Sequence, residues 1–155
     1  MASAALYSFE NEIFCLFATY TSIVIIKMIA VGMWTSKYRI QNKVFANHED
    51  LALARDDSDK LKPIYDDQNV ERLKRCHVND LENIVPFIAL GLLYIATEPT
   101  FNAASLLFRA FAFSRVFHTI AYLSPLPQPS RLLAHVIGVI VNVAMAVCII
   151  SKGHL

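Results

Sequence analysis

Apolar residues in this chain gather into four long runs, separated by polar stretches of very unequal length. The runs cover 13–34, 77–96, 101–123 and 132–150. A helix needs about 20 mostly apolar residues to cross the hydrocarbon of a bilayer, so each run is read as a membrane-spanning helix. The expected fold is all-α, an integral membrane four-helix bundle that occupies residues 1–155 as a single domain.

The first run contains Lys27. A lysine near mid-bilayer costs roughly 2.5–3.5 kcal/mol, and each surrounding Ile, Leu, Val or Phe offsets about 0.3–0.6. Insertion therefore wins, with Lys27 turned toward protein or snorkelling. The second run is unusual, because its purely apolar part, 84–96, is too short to span. Reaching back to His77 makes it long enough but draws Asn79, Asp80, Glu82 and Asn83 into the helix, and Pro86 within it is expected to bend it. A short turn, 97–100, leads to the third run, which carries Arg109, Arg115 and His118. The link 124–131 reads SPLPQPSR, whose prolines favour a stiff connector. His135 and Asn142 share one face of the fourth run. The only long polar stretch, about 36–75, is rich in both signs of charge and is expected to be a functional loop.

Composition sharpens this picture. Of 155 residues 55% are hydrophobic and 17% charged, against about 25% charged in ordinary soluble domains. The net charge of +1 offers no concentrated basic face, so no nucleic-acid partner is expected. Cysteine occurs three times, at Cys15, Cys76 and Cys148, and an odd count partly inside apolar runs argues against a disulfide framework. Residues 1–12 hold no Lys or Arg and no small-residue cleavage pattern, so the first helix is expected to be retained rather than removed as a signal peptide. Basic residues concentrate in the first polar stretch, which places that stretch and the SPLPQPSR link on the cytosolic side and both termini opposite, with Lys152 mildly against.

Ionisable groups inside a membrane usually face a polar cavity. Arg75, Asn79 and Glu82 recur at helical spacing on the second run, flanked by Lys74 and His77, while Arg115, His118 and Tyr122 make a similar stripe on the third. Two such stripes, mostly cationic with one acid, suit a small zwitterionic anion. The competing reading is that these charges only pair with one another, Glu82 with Arg115 and Asp80 with Lys27. Asn142 and His135 read as interhelical hydrogen bonders, Arg109 as structural, and Cys76 as packing rather than redox. No metal site is expected, since His77 and His118 lack a matching His or Cys set, and no phosphate loop or serine triad occurs.

Three segments carry a resemblance to a known family: VERLKRCHVNDLENIVPF at 70–87, SRVFHTIAYLSPLPQPSR at 114–131 and NKVFANHED at 42–50. They closely resemble the microsomal glutathione transferases, type-one branch, of the membrane-associated proteins in eicosanoid and glutathione metabolism (MAPEG), and the similarity runs over nearly the whole chain. That resemblance implies a homotrimer in the endoplasmic reticulum membrane, and in the mitochondrial outer membrane, serving detoxification. It implies glutathione as co-substrate, bound between subunits near the cytosolic face, and lipophilic electrophiles and lipid hydroperoxides as partners, with membrane lipid around the bundle. Carried over residue by residue, the glutathione contacts are Arg39, Lys74, Arg75, His77, Glu82 and Tyr122, and the catalytic position that stabilises the thiolate is Arg131. The sequence departs from its relatives at Lys74, where arginine is usual and bidentate geometry is lost, and at Cys76, where alanine is common. A prostaglandin E synthase-type isomerase shares Arg131 and the acid at Asp50. A non-enzymatic lipid-binding scaffold on the same fold tends to lack that arginine.

Overall fold

The computed structural model describes residues 6–52, 62–124 and 126–153. Four helices make up the bundle: α1 (Glu12–Gln41), α2 (Gln68–Ile95), α3 (Phe101–Leu123) and α4 (Ser130–Lys152). Among the described residues there is no strand. All four helices are long and apolar enough to cross a membrane. Helices α2 and α3 pack on each other and on both remaining helices, so the polar residues they carry are the ones brought into the centre.

Side-chain caps set where the helices begin. Asn11 accepts from the N–H of Ile13 at 2.9 Å and opens α1. Asp67 accepts from Asn69 and Val70 at 3.0 and 2.9 Å and opens α2, and Thr100 opens α3. Such a cap satisfies N–H groups that have no partner within the helix. Both α1 and α2 extend into the stretch expected to be loop. Helix α1 passes residue 34 and ends only at Gln41, because SKYRIQ contains no helix breaker. Helix α2 starts at Gln68 rather than at 77, since Val70, Leu73 and Cys76 recur at helical spacing and all three are buried. Between them Val44 and Phe45 are also buried, and the Ile64 N–H donates to the Phe45 carbonyl at 2.7 Å, tying the two sides of the connection together. Expected loop charges from Arg55 to Lys60 lie outside the described residues.

The half of the bundle remote from that connection is packed with aromatic rings. Phe87 stacks on Phe111 with centroids 3.9 Å apart and meets Phe108 edge-on at 6.0 Å, while Phe17 and Tyr94 close the cluster. Gly91 lets α2 approach α1 here, because a Cβ at that position would run into the Phe17 ring. Helix α2 runs through Pro86 without interruption. Outward faces carry Ile23, Ile26, Met33, Ile140, Val143 and Val147, all exposed, as a lipid-facing surface requires.

Candidate functional site

Beyond the aromatic cluster the core turns polar. Asp80 on α2 is fully buried, and its Oδ1 lies 2.5 Å from Lys27 Nζ of α1 and 3.0 Å from Arg115 Nη2 of α3. Lys27 Nζ also donates to Thr119 Oγ1 at 3.0 Å, and Arg115 Nη2 to Asn79 Oδ1 at 2.7 Å. On α4, Asn142 Nδ2 donates to the Asn83 carbonyl of α2 at 3.2 Å, the interhelical role its sequence position suggests. One anion thus holds two cations and joins three helices. Taking these charges out of water is expensive unless hydrogen bonds of good geometry surround them; Thr119 and Asn79 supply two, while Asp80 Oδ2 and Arg115 Nε and Nη1 are buried without a partner among the described residues.

Two expectations change here. Arg115 pairs with Asp80 rather than with Glu82, because Asp80, Asn83, Ile84 and Phe87 form the inward face of α2, whereas Glu82 lies on the exposed face. The stripe of Arg115, His118 and Tyr122 also divides. Arg115 and His118 are buried in the core, and only Tyr122 reaches the polar groove. The pairing of Asp80 with Lys27, which belongs to the competing reading, is present. Cys76 is buried with its Sγ 4.0 Å from Thr119 Oγ1, which is the setting of a packing residue.

The groove itself lies on the outer face of α2 and is about 420 Å³ in volume. Lys74, Arg75, Asn79 and Glu82 line it from one helix, and Tyr122 closes it from α3. Glu71 lies there too, one turn before Lys74, and its Oε1 is 2.6 Å from Lys74 Nζ. Sequence reasoning passed over Glu71, although its i, i+3 spacing to Lys74 was the signal. Arg131, in the first turn of α4, lays its guanidinium carbon 5.0 Å from the centre of the Tyr122 ring. Cationic ends, the carboxylates of Glu82 and of the Lys74-paired Glu71, and an arginine over an aromatic ring therefore share one wall of the molecule.

Arg39 and His77 are not brought to this wall within the single chain. Arg39 donates through Nε to the Val44 carbonyl at 3.2 Å and sits 3.8 Å from Asp50 Oδ2, in a separate hollow of about 250 Å³. His77 faces α1, where a Cβ at Gly32 would lie 3.8 Å from its Cε1. Of the seven candidate residues the chain itself gathers five: Lys74, Arg75, Glu82, Tyr122 and Arg131. Among the described residues no three His, Cys, Asp or Glu side chains converge as metal ligands would.

Similarity to known proteins agrees in extent with this fold. Residues 17–151 match the MAPEG family. The chain is 50% identical over 137 residues to microsomal glutathione S-transferase 1 of Bos taurus and 44% identical to that of Homo sapiens, covering 88% of this chain and of each relative. It is 40% identical to prostaglandin E synthase of Equus caballus, over 88% of this chain and 87% of that protein. With four helices able to cross a bilayer and a match that runs along nearly all of them, this multi-pass membrane protein belongs to the MAPEG family.

Proposed function

We propose that the protein is a glutathione transferase that joins the glutathione thiolate to lipophilic electrophiles. The observation that carries the reading is Arg131 laid over Tyr122 at the edge of a groove holding Lys74, Arg75 and Glu82. Glutathione has two carboxylates, one ammonium and one thiol. Lys74 and Arg75 suit the carboxylates, with Arg39 and His77 completing the cationic set, and Glu82 suits the ammonium. A free thiol has a pKa near 8.5, and lowering it by about two units takes roughly 2.7 kcal/mol. One or two hydrogen bonds to a charged group, at about 1.5–3 kcal/mol each, are sufficient. Arg131 supplies them, and its Nε is a buried donor with no acceptor among the described residues. The thiolate sulfur then forms a bond to the electrophilic carbon as the leaving group departs with its electron pair. The same thiolate attacks the terminal oxygen of a lipid hydroperoxide, breaking the O–O bond to give the lipid alcohol and a glutathione sulfenic acid, which a second glutathione converts to glutathione disulfide and water.

The same surface supports association of copies, for which the family resemblance implies a homotrimer. Arg75 and Glu82 lie exposed on a membrane-spanning helix, and Arg109 is exposed on α3. Charges there cost several kcal/mol against lipid, so neighbouring copies cover them. In such an assembly Arg39 and His77 of one copy would complete the groove of the next. The site faces the cytosol, in the endoplasmic reticulum membrane and in the mitochondrial outer membrane. An apolar hollow of about 350 Å³ between α3 and α4, with Phe113, Phe117 and Leu133 on its walls, suits a lipophilic second substrate arriving through lipid.

The test is glutathione binding and conjugation by detergent-purified protein, with thiolate absorbance followed on mixing. Conjugation of a chlorodinitrobenzene-type substrate supports the reading, and its loss in Arg131→Ala supports the catalytic assignment. Undiminished turnover in that variant overturns the assignment. Isomerisation of a prostaglandin endoperoxide in place of conjugation would transfer the protein to the synthase branch.

A further inference from the structure

Tyr122 and Arg131 both sit where helices fray. Tyr122 is in the last turn of α3 and Arg131 in the first turn of α4, which begins without a side-chain cap. End turns open easily, yet the guanidinium must hold one pose to stabilise a thiolate. Something buried has to fix the ring beneath it.

His118 is placed to do this. It is buried on α3, and its ring centre lies 5.6 Å from that of Tyr122 with the planes tilted by 42°. Its Nδ1 is 3.1 Å from Arg115 Nη2. Arginine has only donors and stays charged, so that contact needs a lone pair on Nδ1 and puts the hydrogen of His118 on Nε2. The imidazole is therefore neutral, since an imidazolium would set N–H against N–H. Arg115 is itself held by Asp80 and Asn79, with the two hydrogens on Nη2 shared among three acceptors. A continuous path thus runs from Lys27 through Asp80, Arg115, His118 and Tyr122 to Arg131. Each step is a hydrogen bond, an ion pair or a ring contact. Its inner end is locked in the core and its outer end lies at the groove.

We infer that His118 is a positioning residue: anchored by Arg115 to the buried Lys27–Asp80–Arg115 network, its neutral imidazole sets the pose of the Tyr122 ring and, through it, of the Arg131 guanidinium. The inference rests on the glutathione chemistry proposed above. A neutral ring at this place leaves Arg131 as the only cation over the Tyr122 ring among the described residues. His118 acts on the thiol step, whereas the groups that hold the ends of the tripeptide are on α2 and, in Arg39, on α1, so its loss affects turnover and thiolate formation more than glutathione affinity.

Two variants separate the two contacts. His118→Phe keeps a ring against Tyr122 but removes the acceptor, and His118→Asn keeps an acceptor near Nδ1 but removes the ring. In detergent-purified protein we expect each to lower kcat and the glutathione thiolate absorbance by about tenfold, with KM for glutathione within about twofold, as a misplaced catalytic group does. The same substitutions made in an Arg131→Ala background should add little further loss, because the effect passes through Arg131. Wild-type thiolate signal in both variants overturns the inference. So does an undiminished additional loss in the Arg131→Ala background. If both variants lose thermal stability and glutathione binding together, His118 is a structural residue and the inference fails. Wild-type protein that binds no glutathione defeats the functional reading first, and this inference with it.

Discussion

Replacing Asp80 with alanine removes the only anion from a buried group of three charges. Arg115 is fully buried, and the Lys27 side chain is 14% exposed, so neither has easy access to water when its counter-charge is gone. Breaking a buried pair by deleting one partner costs about 3–5 kcal/mol, because the remaining charge stays desolvated. Here two charges are stranded, so the upper part of that range is expected. For a chain of this size about 1 kcal/mol shifts the midpoint by roughly 2–4 °C, which places the Asp80→Ala loss at about 8–20 °C in thermal unfolding of detergent-purified protein.

Lys27→Met is the informative contrast. It removes the surplus cation and its bond to Thr119, while Arg115 keeps Asp80 at 3.0 Å. Its cost should stay below about 1.5 kcal/mol, as expected where an apolar residue of similar volume replaces part of a buried charge cluster. The double variant should then lose less than the sum of the two singles, with a coupling of about 0.5–3 kcal/mol. An Asp80→Ala midpoint no lower than that of Lys27→Met would refute the reasoning, because the anion would then not be what holds the cations in the core.

Three further outcomes follow. Gly91→Ala should destabilise the bundle by about 1–3 kcal/mol in the same unfolding assay, since its methyl group meets the Phe17 ring and one helix or the ring must move. Asn142→Leu should cost only about 0.6 and at most about 1.7 kcal/mol, the usual worth of an interhelical hydrogen bond in a membrane, because it loses the bond to the Asn83 carbonyl but also removes a buried Oδ1 that has no partner among the described residues. Glu71→Gln should tighten glutathione binding about 1.4- to fivefold in equilibrium dialysis at low salt, because an exposed ion pair worth about 0.2–1 kcal/mol no longer competes for Lys74.

How much of this was legible in the sequence differs from residue to residue. The four spans were visible because lipid solvation acts on composition over about 20 residues at once, and no single misplaced polar group hides it. The ends were not. Gln41 and Gln68 lie inside polar sequence, where hydropathy is silent. There the informative features were the Asp67 cap and the inward spacing of Val70, Leu73 and Cys76. Lys27 and Asp80 could be matched because each is a charge inside an apolar run and needs an opposite one at similar depth. Arg115 was matched wrongly for a related reason. Glu82 and Asp80 are two positions apart and equally available in a linear pattern, and only the rotation of α2 about its axis, set by Phe87 and Ile84 packing inward, decides between them.

The groove poses a harder problem, and its solution bears on function. Lys74, Arg75 and Glu82 could be grouped from sequence because they lie on one helix, and spacing within a helix is spacing in space. Arg131 over Tyr122 depends on how the link after Leu123 turns α4 back on α3, which no periodicity encodes. Arg39 and His77 remain apart even in the folded chain, one held by Val44 and Asp50 and the other against α1. Under the proposed trimer that separation is what a shared site requires: a ligand held by residues from two copies gains contacts only when the copies associate. Glutathione binding and assembly should then be linked, with the ligand stabilising the oligomer according to its concentration relative to its dissociation constant. Dilution in detergent should therefore weaken glutathione binding and lower the thermal midpoint together, and saturating glutathione should oppose both. If protein shown to be monomeric by light scattering keeps full glutathione affinity, the site is complete in one chain, and Arg39 and His77 have no part in it.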